Sequence, residues 1–163
     1  MKNRLVTDFY ELTVQQLMNN RLWDIPVIEK NEDISDVLNI LSGRHYIWVI
    51  KNKKKKELIG VITEHDILTT LTPKNFSPYV FGLPDIRSLQ HGTVKKAEDI
   101  MSQKIITCEP QEKVIDVLKR MKKYRLRRLP VVKNNQLIGE ITLHRLIQKY
   151  YDATQYHSIT EEG

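Results

Sequence analysis

One phrase is written twice in this chain. "GVITEHD", Gly60 to Asp66, returns 79 residues later as "GEITLHR", Gly139 to Arg145. Carried along by the same offset, Ile67, Leu68 and Leu71 fall on Leu146, Ile147 and Tyr150. Upstream, "DISDVLNIL" sets out Ile34, Val37, Leu38 and Leu41, and "KVIDVLKRM" sets out Val114, Val117, Leu118 and Met121. Both follow i, i+3, i+4, i+7, the stripe of a helix with one buried face. Further upstream, "VQQLM" ending at Met18 answers "AEDIM" ending at Met101. Such a chain folds as two copies of one supersecondary unit, each too small to bury its own faces.

Each copy reads in the same order. A short helix ends at Met18 or Met101, and a small strand follows, "IPVI" (Ile25 to Ile28) or "IIT" (Ile105 to Thr107). The amphipathic helix comes next, with Pro110 near its start in the second copy. Then comes a hairpin, "YIWVI" to "ELIGVIT" or "RLPVV" to "QLIGEIT", closed by the polar turns "KNKKKK" and "KNNQ". A last helix starts at Thr63 or Thr142. The reading is α+β: repeat 1 over residues 10–72, a linker over 73–94, repeat 2 over 95–152, and a frayed tail over 153–163. The linker holds three prolines and two glycines, which argue against a long regular element. Two pseudo-symmetric copies facing each other would enclose a cleft lined twice by the same residue types, a natural place for a ligand.

Composition narrows the partners. Lys and Arg outnumber Asp and Glu by 26 to 20, a balance of +6 that favours anionic partners. The run "KNKKKK", Lys51 to Lys56, reads as a solvated hairpin tip. No apolar run approaches the roughly 20 residues of a membrane span, and the N-terminus has no signal-peptide pattern. The single cysteine, Cys108, permits no intrachain disulfide, which fits a cytoplasmic setting.

In "GVITEHD" the chain leaves a strand, turns and enters a helix. Gly60 lets the backbone approach a partner closely. Thr63 takes the N-cap position with Asp66 three residues on. A carboxylate there matches the paired hydroxyls of a ribose, and the helix N-terminus suits an anion. Thr-x-x-Asp is equally a plain helix cap. The second copy weighs on the choice. Thr142 keeps the cap, but Arg145 brings a cation where cations are disfavoured. The two copies are specialised for different work.

These residues resemble the CBS-domain family, whose members occur as tandem pairs called Bateman modules. The resemblance rests on "GVITEHD", on "RRLPVV" before the second turn, on "AEDIM" and on the order of elements, over about residues 10 to 152. It implies a non-catalytic regulatory, energy-sensing module that binds an adenosine-containing nucleotide: AMP, ADP, ATP or S-adenosylmethionine. It implies that Asp66 holds the ribose, with Thr63 and the strand residues Gly60, Val61 and Ile62 beside the nucleotide. It places Ile105 and Ile106 on adenine, and His45, Arg127 and His144 toward the phosphates. A degenerate second site would comprise Thr142, Arg145, Ile25 and His65. The resemblance also implies a homodimer and an effector enzyme, channel or transporter. Three departures stand out: Arg145 in place of aspartate, Trp48 where the family has proline, and extra residues around Trp23 and Asp24.

No Walker loop, HExxH or spaced Cys/His set is present, so no enzyme class is indicated. Glu64, His65 and Asp66 are adjacent on a helix and diverge, which makes a poor metal site. "KRMKKYRLRRLP" offers basic residues around Tyr124 for a nucleic-acid backbone, although Lys119, Arg120, Lys122 and Lys123 fall on the solvent side of the Val114–Met121 stripe. A purely structural dimerisation or docking module is the third possibility.

Overall fold

The computed structural model describes residues 4–72 and 96–161. The linker read at 73–94 lies outside them. In chain order the elements are α1 (Arg4–Glu11), α2 (Val14–Leu17), a 3-10 turn (Leu22–Asp24), β1 (Val27–Glu29), α3 (Ile34–Leu41), β2 (Tyr46–Ile50), β3 (Leu58–Thr63) and α4 (Glu64–Leu71). They continue with α5 (Ala97–Ile100), α6 (Val114–Tyr124), β4 (Arg128–Lys133), β5 (Gln136–Thr142) and α7 (Leu143–Glu161). The fold is α+β, with two small sheets, β1-β2-β3 and β4-β5. Helix α7 runs on to Glu161, through most of the stretch that the sequence suggests is a frayed tail. Among the described residues no helix is long and apolar enough to cross a membrane.

The duplication is legible in the strand register. Trp48 pairs with Val61 in the first hairpin, and Pro130 pairs with Glu140 in the second. Each hairpin carries a register shift at the same place, Val49/Ile50 and Val131/Val132. The cores repeat as well. Ile28, Val37, Ile47, Val49, Ile62, Ile67 and Ala97 form one buried cluster. Cys108, Val117, Leu129, Val131, Ile141, Leu146 and Val14 hold the same places in the other, which adds Phe9 from α1.

The compact units do not follow the order of the repeats. One joins the residues up to Ile25 with those from Ile106 onward, and the other is Pro26–Ile105. The reason is an exchange of short helices. Helix α2, from the first repeat, docks beside α6: Val14 N donates to Glu112 O and Gln15 N to Pro110 O, both at 2.9 Å. Helix α5, from the second repeat, makes the same bonds beside α3: Ala97 N to Glu32 O and Glu98 N to Lys30 O, again at 2.9 Å. These bonds use N–H groups that a helix start leaves without an intrahelical partner.

One strand is missing. The sequence suggests "IIT", Ile105 to Thr107, as the counterpart of β1, but the structure has only a single parallel bridge, Cys108 to Val131. Prolines explain the loss. In the first repeat Trp48 N donates to Pro26 O and Lys30 N to Ile50 O, both at 2.9 Å. The duplicate donors are Pro130 and Pro110, which have no N–H to give. Only the central rung survives, with Cys108 N bonded to Pro130 O at 3.1 Å and Val132 N to Cys108 O at 2.9 Å.

Candidate functional site

Strand β3 ends at Thr63, which caps α4 in an extended conformation. Asp66 reaches back over the first turn. Its Oδ2 accepts the Thr63 N–H at 2.8 Å and the Thr63 hydroxyl at 3.0 Å. The plain capping arrangement is therefore built, and one carboxylate oxygen serves it. The other, Oδ1, has no partner among the described residues. Asp66 is half-buried.

The second copy keeps half of this arrangement. Thr142 Oγ1 accepts the Arg145 N–H at 3.2 Å. In the first copy the threonine oxygen accepts the Asp66 N–H while its hydroxyl donates to the carboxylate; the second copy keeps only the bond from the backbone. Arginine has donors only and cannot reach back to an N–H. Thr142 is thus a working cap, and the exposed Arg145 side chain is not needed for it.

Both glycines of the repeated phrase have ordinary negative φ. What they supply is space. A Cβ on Gly60 would lie 2.8 Å from Met101 Cγ and 3.0 Å from its Cβ. One on Gly139 would lie 2.5 Å from Asn19 O. The close approach is made by the segment leaving the exchanged helix. Val61 N bonds to Ser102 O at 3.0 Å and Ser102 N to Val61 O at 2.8 Å. Asn19 and Glu140 make the same reciprocal pair, at 2.8 and 3.0 Å.

The remaining expected residues divide between the two units. His45, Gly60, Val61, Ile62, Thr63, His65, Asp66 and Ile105 belong to one. Ile25, Ile106, Arg127, Thr142, His144 and Arg145 belong to the other. Ile62 buries its side chain fully in the core. Val61 and Ile105 are half-buried. Ile106 packs against the core cluster of its own unit, and Ile25 is buried. His45 Nδ1 meets Glu64 Oε1 at 2.8 Å on the surface. Glu64 and Asp66 thus turn to different partners, His45 and Thr63. His65, Arg127, His144 and Arg145 are exposed. Arg127 also lends its carbonyl to Leu143 N at 2.8 Å, which starts α7.

The sequence does not reveal what Arg120 does. It is not a solvated side chain on the outer face of α6. Its guanidinium bonds Glu112 Oε1 at 2.5 Å and Oε2 at 3.0 Å, and Thr107 O at 2.9 Å. The side chains are 27% and 28% exposed. Arg120 holds the Glu112 carboxyl below its ordinary range, while Glu112 raises Arg120 in turn. This clamp carries the carbonyl just before the single Cys108 rung. The signal was a mismatch within the duplication: Arg120 occupies the place of Ile40, a residue packed on the other core. Tyr124, the aromatic of the basic stretch, has Lys123 Nζ 5.2 Å from its ring centroid.

Comparison with known proteins finds the CBS domain twice, over residues 14–72 and 97–152. The chain belongs to the CBS-domain family. This CBS pair is 26% identical over 140 residues to an uncharacterised protein of Methanocaldococcus jannaschii, a match covering 75% of this chain and 83% of that one. Two further relatives are matched over only 44% and 43% of their own length. Among solved structures the CBS pair resembles CBSX2 in complex with AMP, with a TM-score of 0.67 and 21% identity, covering 87% of this chain and 98% of that one. It also resembles the CBS domain pair of MJ0100 in complex with 5′-methylthioadenosine and S-adenosyl-L-methionine, at a TM-score of 0.60 and 21% identity, covering 86% and 97%. Trp48 stands where the second copy has Pro130 and gives the first sheet one more bond, and a 3-10 turn, Leu22–Asp24, precedes Ile25.

Proposed function

We propose that this CBS pair is a non-catalytic regulatory module of the cytoplasm that binds one adenosine-containing nucleotide per chain, AMP, ADP, ATP or S-adenosylmethionine, with Asp66 as the ribose acceptor. The observation that carries the reading is the asymmetry between the two motifs. Asp66 has an oxygen to spare after capping α4, whereas its counterpart Arg145 can accept nothing. Ligands of this class in two CBS pairs of the same fold support the choice. Native mass spectrometry of protein purified without added ligand, followed by calorimetric titration with AMP, ATP and S-adenosylmethionine, tests it. Binding of one nucleotide per chain is expected. No binding by any of them would overturn the reading.

The module acts as a homodimer in this proposal. Leu68 and Leu71 on α4, and Ile147 and Tyr151 on α7, are large apolar residues more than half exposed. Two of them, Leu68 and Ile147, are duplicates of each other. A second copy is the simplest cover for such a repeated apolar pattern. Light scattering should give about twice the 19.2 kDa chain mass; a monomer at micromolar concentration would sink the idea.

A further inference from the structure

The two hairpin turns can be compared residue by residue, because their strands share one register. Between the paired residues Val132 and Leu137 stand four residues, Lys133 to Gln136. Asn134 and Asn135 both take positive φ there, as a two-residue hairpin turn requires. Between Ile50 and Leu58 stand seven, Lys51 to Glu57. Closing this hairpin does not need the longer turn, since the shorter one closes its twin. The addition is nonetheless ordered. Lys56 N bonds to Asn52 O at 2.8 Å, Lys55 N to Asn52 Oδ1 at 2.8 Å, and Lys56 is held in the left-handed region at φ 48°. The result is a firm knob that presents Lys53, Lys54, Lys55 and Lys56, all exposed.

Like charges set side by side repel, so this knob is an electrostatic cost to the isolated chain that an anionic partner would relieve. Its surroundings restrict the partner. The turn contains no arginine and no aromatic, so it offers neither a bidentate fork nor a stacking face. Its foot carries two carboxylates, each beside a lysine: Glu57 lies 3.8 Å from Lys51 Nζ and Glu29 3.9 Å from Lys53 Nζ. An extended polyanion, a duplex or a charged bilayer, would press against those carboxylates as well as the lysines. A short acidic stretch meets the tip alone.

We propose that the Lys53–Lys56 knob is a docking point for an acidic segment of a partner protein, and that the second repeat has no such point. The test is fluorescence anisotropy of a labelled oligo-glutamate peptide titrated with the full chain at low salt. Replacing Lys53, Lys54 and Lys55 together by Gln should weaken binding about tenfold, and about 1 M salt should abolish it. A second variant exchanges residues 51–57 for the turn Lys-Asn-Asn-Gln of the other hairpin; it should fold and lose the peptide to the same degree. The matching triple change on α6, Lys119, Lys122 and Lys123 to Gln, should leave binding unchanged. Equal peptide affinity in wild type and the tip variants would overturn the proposal. So would a larger loss in the α6 variant, or tighter binding of duplex DNA or phosphatidylserine vesicles than of the peptide.

Discussion

Arg120 grips Glu112 with both terminal nitrogens and, with one of them, also takes the Thr107 carbonyl. Arg120→Met should therefore destabilise the fold by about 2 kcal/mol, since it strips a partly buried carboxylate of its charged partner. Arg120→Lys, which keeps charge without the fork, should recover only part of this. Urea unfolding at neutral pH measures both.

The same pair makes stability depend on acid. Arg120 lowers the Glu112 pKa in the folded chain below its ordinary 4.5. The contribution is complete above that value and is lost as pH falls through the folded value. The stability gap between wild type and Glu112→Gln should shrink below about pH 4.5 and stay level above it. A gap that widened in acid would contradict the assignment.

Asp66→Ala separates the two jobs of one side chain. Loss of the cap alone should cost on the order of 1 kcal/mol of stability. Loss of a ribose contact should also weaken nucleotide binding about tenfold or more. Calorimetry beside thermal melting distinguishes them: a lower melting point with unchanged affinity would leave Asp66 as a cap only. Arg145→Asp should add a weak second site if the arginine alone closes it.

The two glycines should respond unequally to alanine. At Gly60 the obstacle is a flexible methionine side chain; at Gly139 it is the backbone carbonyl of Asn19. Gly139→Ala should cost about 2–3 kcal/mol and Gly60→Ala about 1. Thermal melts of the two variants give the order directly.

Cys108 should be inert in the native chain. Burial, then the Glu112 charge, pushes its thiol up to about 12, with Arg120 opposing. At pH 8 a thiol reagent should label it only after denaturation. Rapid labelling of the folded protein would show that this core opens.

Much of this was readable in the sequence. Both amphipathic stripes, from Ile34 and from Val114, lie on the cores as the spacing required. Thr63 and Thr142 start the last helices because a hydroxyl at that position satisfies the first turn. Other features leave no periodic pattern in the sequence. The lost strand before Cys108 depends on two prolines, Pro110 and Pro130, each removing a donor from a partner far along the chain. Arg120 looks solvated by helical phase, yet it is held by Glu112, eight residues away. Periodicity reports which face is apolar. It does not report which carbonyl lacks a donor.

The exchange of α2 and α5 bears on how such a chain arises. Each hairpin is finished by a helix that lies, in chain order, in the other copy. A gene encoding a single copy would leave its product without a lender, so the helix would have to come from a second molecule. Fusing two such genes end to end converts that loan between molecules into one within a single polypeptide. Splitting the fused chain at 73–94 should accordingly give fragments that fold poorly alone and recover when mixed.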